Sequence, residues 1–201
     1  MKKSIALAAL TLIIICHAVP PAYTQKKDTH NFRKTRWGMS VAEVKLTEEG
    51  KPINEGPLPP YDLAVSYAGT FEGSNTETGY LFNADKLVLA GYAFTDRHSD
   101  NNLYIKDYER IKGVLTKKYG IPAQDEEIWS DETYKDKPEE YGKAAALGQL
   151  VLQSSWRTPE TDIFLTLQGR DNDISLSALY YSTELNSLVI ERKIRQEAEG
   201  F

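Results

Sequence analysis

Arg36-Trp37-Gly38-Met39-Ser40-Val41-Ala42-Glu43-Val44 is the stretch from which the rest of the chain can be parsed. Ser40 and Glu43 have the S-x-x-E spacing of a capping box, in which each satisfies a backbone donor of the other. Met39 and Val44 occupy the two positions of a hydrophobic staple, and Gly38 suits a tight approach before the cap. The pattern predicts a short helix from Val41 to about Glu49, ended by Gly50 and Pro52. Trp37 then stands at the helix entrance, either as a plug in the core or as a ring on which a ligand stacks.

Downstream, Pro52, Pro57, Pro59 and Pro60 make residues 50 to 60 a stiff loop. Tyr61, Leu63, Val65 and Tyr67 alternate with Asp62, Ala64 and Ser66, the period of a strand with one covered face. Residues 69 to 75 read as a turn. Tyr80 to Phe82 and Leu87 to Phe94 read as a hairpin around Asn83-Ala84-Asp85. Leu87 to Ala90 are apolar at every position, so that strand belongs in the middle of a sheet.

Tyr104, Tyr108, Ile111, Leu115 and Tyr119 then form a helical stripe over 103 to 119, stopped by Gly120 and Pro122. An acidic run from 125 to 140 follows, with a short edge strand at Ile128 and Trp129. A short helix is expected from Pro138 to Leu147. Three further strands place Leu150, Leu152 and Trp156, then Ile163, Leu165 and Leu167, then Ile174, Leu176, Ala178 and Tyr180 on one face. Ser182 or Thr183 caps a last helix. The expected fold is therefore α+β. It is an antiparallel sheet of about six to seven strands with helices on one face, arranged as two α-β-β-β units.

The chain has 201 residues and a net charge of −5, a length that suits one domain. Its acidic balance argues against nucleic acid as a partner. Upstream of Arg36, Lys2 and Lys3 precede an uncharged run that ends Ile13-Ile14-Ile15-Cys16-His17-Ala18. Roughly a dozen apolar residues make a signal-peptide core and fall short of the ~20 that a membrane span needs. Residues 1–22 are read as a signal peptide cut after 18 to 24, residues 23–35 as a polar tether and 36–201 as one domain. The expected place is periplasmic or secreted, with no transmembrane helix in the mature chain. A lipoprotein would carry its lipid on Cys16, the sole cysteine, but Ile15 stands where such sites have a small residue.

Chemistry is sparse. His98 lies between Asp96 and Asp100, a pattern shared by a metal site and a polar turn. Asp171-Asn172-Asp173 opens like a calcium loop but lacks the later glycine and glutamate, so a hairpin tip is preferred. No catalytic, cofactor or metal residue is assigned, and the chain is expected not to be an enzyme. If Ile163, Leu165 and Leu167 face the helices, then Phe164, Thr166, Ser175, Ser177 and Tyr181 face away as a broad, low-relief surface. That face is the expected docking surface for an envelope protein or a second copy. A small apolar-ligand carrier and a hydrolase with a triad assembled in space are the alternatives.

Arg36-Trp37-Gly38-Met39-Ser40, Leu63-Ala64-Val65-Ser66-Tyr67 and Lys118-Tyr119-Gly120-Ile121-Pro122 together resemble a group of uncharacterised exported bacterial proteins. These share a W-G-M-S helix start and a K-Y-G-x-P helix stop. The helix-then-hairpin units are also similar to modules of outer-membrane assembly lipoproteins and of β-lactamase-inhibitor-like proteins. The resemblance implies a binding module rather than an enzyme, and carries over no functional residue.

Overall fold

The computed structural model describes residues 30–191. The expected signal peptide and cut sites, Cys16 and most of the expected tether lie outside these residues. The elements run α1 (Val41–Thr47), β1 (Asn54–Leu58), β2 (Tyr61–Phe71), β3 (Ser74–Asn83), β4 (Lys86–Phe94), α2 (Asn102–Tyr119), β5 (Gln124–Trp129), α3 (Tyr141–Ala146), β6 (Leu150–Arg157), β7 (Thr161–Arg170) and β8 (Asp173–Ser182). A helix over 185–191, α4, follows. All eight strands form one antiparallel sheet in the order β1-β2-β3-β4-β8-β7-β6-β5. Two α-β-β-β-β units are thus joined through the β4–β8 pair, with α3 inserted between β5 and β6 of the second.

Local chemistry sets the element ends. The capping box forms: Glu43 N–H donates to Ser40 Oγ at 3.3 Å, and Ser40 N–H donates to Glu43 Oε2 at 2.8 Å. Gly38 N–H donates to the Leu87 carbonyl and Leu87 N–H to the Met39 carbonyl, so the segment before α1 is laced to the start of β4. Asp85 in the β3–β4 turn accepts from Val41 N–H at 3.0 Å, fixing that turn to the start of α1. Helix α2 stops at Gly120, whose φ of 89° only glycine adopts cheaply. Trp156 Nε1 donates to the Gly120 carbonyl at 2.9 Å and pins that stop to β6.

Several expectations are corrected. The sheet has eight strands, not six to seven, because the proline-rich 50–60 stretch contains β1. Pro57 is tolerated there because β1 is an edge strand, and the register slips between Gly56 and Leu58. At the other edge, β5 includes the acidic residues from Gln124 on. The expected turn over 69 to 75 shrinks to Glu72-Gly73, with φ of 50° and 83°, so β2 and β3 run further than the alternation suggested. Pro138 opens a 3-10 turn (Pro138–Glu140) that leads into α3.

The tether reading also fails at its C-terminal end. Phe32 and Thr35 are 3% and 0% exposed. The Phe32 ring packs on Tyr80, Tyr92 and Tyr180, with centroids 5.7, 4.9 and 4.9 Å away. Phe32 is the plug of the inner face, over the seam where β4 meets β8. Trp37 is half-buried beside the core, and its Nε1 donates to Thr161 Oγ1 at 2.9 Å.

The inner face carries Ile163, Leu165 and Leu167 of β7 and Leu150 and Leu152 of β6, under Ile111 and Leu115 of α2. Ala144, Ala145 and Ala146 are almost wholly buried between α2 and β7. Small residues are required at this junction: a side chain at Gly142 would meet the Asn101 backbone at 2.4 Å, and one at Gly169 the Ala145 carbonyl oxygen at 2.2 Å. The helices are not confined to this face. Helix α4 crosses to the outer one, where Val189 and Leu185 pack with Val88, Leu89, Leu81, Leu179, Tyr61 and Tyr181. Leu87 serves the inner cluster and Val88 and Leu89 the outer one, which is why β4 is apolar at successive positions.

Candidate functional site

Strand alternation puts Phe164, Thr166, Ser175, Ser177 and Tyr181 on the outer face of β7 and β8. Thr166 is paired with Ser177, and Gln168 with Ser175. Phe164 meets Tyr181 edge to face at 5.7 Å. Ser175 is exposed and the other four are half-buried. The five are brought together on one face, but Tyr181 is also part of the cluster under α4. Phe164, Thr166 and Ser177 therefore form a hydroxyl-and-ring strip beside a helix of the same chain. The apolar pair Leu185 and Val189, spaced four apart, was the sequence signal for that cover.

A cleft of about 270 Å³ lies on the helix side, where the end of α2 meets the β6–β7 turn. Lys118, Tyr119, Thr158, Pro159, Glu160, Thr161 and Ile163 line it together with His30 and Asn31. Asn31 Nδ2 donates to Glu160 at 2.9 Å and holds one wall in place. Residues 30 and 31 belonged to the expected tether, so nothing in the sequence linked them to a hairpin 130 positions away.

Two titratable clusters occupy the inner face. In the first, Arg33 meets Glu48 through Nε at 3.1 Å and Nη2 at 3.2 Å, and the Tyr80 hydroxyl also donates to Glu48. Burial pushes the Arg33 pKa down, but Glu48 together with Tyr80 and Tyr92 more than offsets this and raises it. Burial, helped by Glu48, pushes the Tyr80 phenol well above its usual range. Tyr92 is raised to about 12, mainly by burial. In the second cluster, the Tyr108 hydroxyl and Ser154 Oγ are 2.6 Å apart. Ser154 donates to Asp125 at 2.7 Å, and Lys112 reaches Asp125 at 3.2 Å. A serine, a tyrosine and a lysine four positions on from it are familiar as catalytic types. Here Ser154 and Tyr108 are 0% and 1% exposed and burial raises the phenol pKa, and the group links α2, β5 and β6 from this buried pair out to the exposed Asp125.

His98 Nε2 lies 2.6 Å from Asp107, which also accepts from Arg110 at 2.9 Å. Burial pushes the Asp107 pKa up, but its bonds to Arg110 and His98 more than offset this and hold it below the usual carboxylate range. The arrangement ties the loop before α2 to that helix. Asp171 and Asn172 form the β7–β8 turn, with φ of 53° and 65°. Among the described residues, no group of three or more His, Cys, Asp or Glu could hold a metal ion. No described helix is long and apolar enough to cross a membrane. No protein-family model matches this chain, and neither a curated protein nor a solved structure matches it.

Proposed function

We propose that the chain is an exported envelope protein acting as a non-catalytic binding module, with its docking surface on the outer face of β7 and β8. The observation that carries this reading is the strip Phe164, Thr166, Ser175 and Ser177. It sets three small hydroxyls beside an aromatic ring on one face of β7 and β8, and such groups cost little to desolvate. Export rests on Lys2, Lys3 and the apolar run ending at Cys16. The testing variant is Ser175→Lys with Ser177→Lys. Both side chains point off the sheet, so folding is expected to survive while capture of partners from envelope extract is lost. Equal recovery of the same partners by the double variant overturns the assignment of this face.

The cleft beside Tyr119 and Ile163 supports a second reading, a carrier of a small ligand with an apolar part. Ile163→Trp fills it from its floor. Ligand that co-purifies with the wild type and is absent from this variant would favour the carrier.

A further inference from the structure

The two end strands of the sheet are built differently. Strand β1 carries Pro57 and a register slip between Gly56 and Leu58, two features that discourage a further strand from adding. Strand β5 has neither. It pairs with β6 residue for residue from Gln124 to Trp129. Gln124 to Ile128 are all exposed, and no strand lies beyond them among the described residues.

The sense of the pairing shows which backbone groups are open. Ser130 N–H donates to the Gln149 carbonyl at 2.9 Å. Bonded positions alternate along an antiparallel pair, so Ile128 and Glu126 turn their N–H and C=O groups toward β6. Asp125, Glu127 and Trp129 turn theirs to the open edge. Such a row is a template for one more strand.

The side chains define what that strand must carry. Asp125, Glu126 and Glu127 follow one another along the edge. Lys112 of α2 pairs with Asp125 at 3.2 Å and with Glu109 at 2.9 Å. The donors to Glu127 are neutral, Trp129 Nε1 and the Tyr141 hydroxyl, each at 3.2 Å. A cleft of about 120 Å³ lies between α2 and β5, lined by Glu109, Lys112, Asp125 and Glu127 among others, and can take the end of a long side chain. Glu126 is on the outer face with Ile128, which is 46% exposed. A second copy of β5 would set carboxylate against carboxylate, which is unfavourable across a strand pair. A strand with basic and apolar side chains would meet Glu126, Glu127 and Ile128 favourably.

We propose that β5 accepts an extended cationic segment of a partner protein as a further strand of the sheet. Its backbone bonds to Asp125, Glu127 and Trp129, and a lysine or arginine side chain reaches the cleft at Glu127. This edge is separate from the outer face of β7 and β8, so it stands or falls independently of that docking surface.

The test uses the whole mature chain and an acetylated peptide of alternating lysine and valine, as long as β5. Its glutamate–valine counterpart serves as the comparison. Saturable binding of the cationic peptide alone is expected, weakening as salt is raised. Amide hydrogen exchange reads the geometry. Exchange at Asp125, Glu127 and Trp129 is expected to slow on binding, while Glu126 and Ile128, already turned to β6, change little. Glu127→Pro removes an outward donor where an edge strand tolerates proline, and is expected to abolish binding. Should that variant not fold, Glu126→Lys at an exposed position decides, with affinity expected to fall about tenfold. Ser175→Lys with Ser177→Lys is expected to bind the peptide as the wild type does. Equal binding of both peptides, equal slowing at Glu126 and Ile128, or undiminished binding by Glu127→Pro or Glu126→Lys overturns the proposal.

Discussion

The two halves of the sheet solve the same covering problem with different materials. The β5–β8 half lies under α2, which spans Asn102–Tyr119, and its inner face is mainly aliphatic, with Leu150, Leu152, Ile163, Leu165 and Leu167 beside the two rings of Trp156 and Tyr180. On its inner face the β1–β4 half has, among the described residues, only the seven-residue α1, which buries Val44 alone. Its inner face is built of Tyr67, Thr76, Thr78, Tyr80, Phe82 and Tyr92, and is closed by Phe32 from the chain before α1. A long helix brings enough apolar surface to cover branched aliphatics. A short one leaves the sheet to cover itself with large rings, and their polar ends then need partners. Glu48 meets that need for Tyr80 and is paired in turn with Arg33, whereas the Thr76 and Thr78 hydroxyls on this half have no hydrogen-bond partner among the described residues.

The comparison predicts different failures. Phe32→Ala is expected to cost about 3–5 kcal/mol, as much as truncating a core aromatic anywhere, against about 2–5 kcal/mol for Leu165→Ala under α2. Urea denaturation of the two variants measures this. A Phe32→Ala curve that overlays the wild type would return this segment to the role of a tether. Arg33→Ala leaves the largely buried Glu48 carboxylate with Tyr80 as its partner and is expected to cost about 1–3 kcal/mol. The same change at the exposed Arg157, which pairs with Asp162, is expected to leave stability almost unchanged. Equal losses at the two positions would erase the distinction between a buried pair and a surface one.

The rings also give the β1–β4 half an alkaline weakness. Burial raises Tyr61 and Tyr92 to about 12 in the folded protein, against about 10 in an unfolded chain. The unfolded chain then loses these protons first. The stabilisation is complete below about pH 10 and is lost as pH rises through about 12. Phenolate absorbance and unfolding followed together against pH are expected to rise in step for these tyrosines. Tyr92→Phe is expected to move the onset upward. The smallest expected effect is Ser40→Ala, about 1 kcal/mol from the lost cap of α1, read as a modest fall in melting temperature.

Legibility in the sequence followed the range of the interactions. The α1 cap, the α2 stripe, the glycine stop and the alternation in β6, β7 and β8 depend on neighbours within a few residues, and each is visible as spacing. The outer-face set Phe164, Thr166, Ser175 and Ser177 follows from that alternation, and the fold brings it together. Phe32 was hidden because a single ring among Lys26, Lys27, Arg33 and Lys34 has no periodicity. Strand β1 was hidden because Pro57 reads as a breaker unless one knows that the strand lies at an edge.

By itself the sequence determined most of the fold's parts: helices α1 and α2, seven of the eight strands, the buried face of β6, β7 and β8, and the pairing of consecutive strands through short turns. Those outcomes are set by backbone periodicity and by turn residues, which act locally. Only the tertiary structure decided that two four-stranded units join through β4 and β8. It likewise placed Phe32 over that seam, sent α4 to the far side of the sheet and brought Arg33 to Glu48. Each of these is a contact between distant positions, chosen by which surfaces could be covered together, and no local pattern encodes that choice.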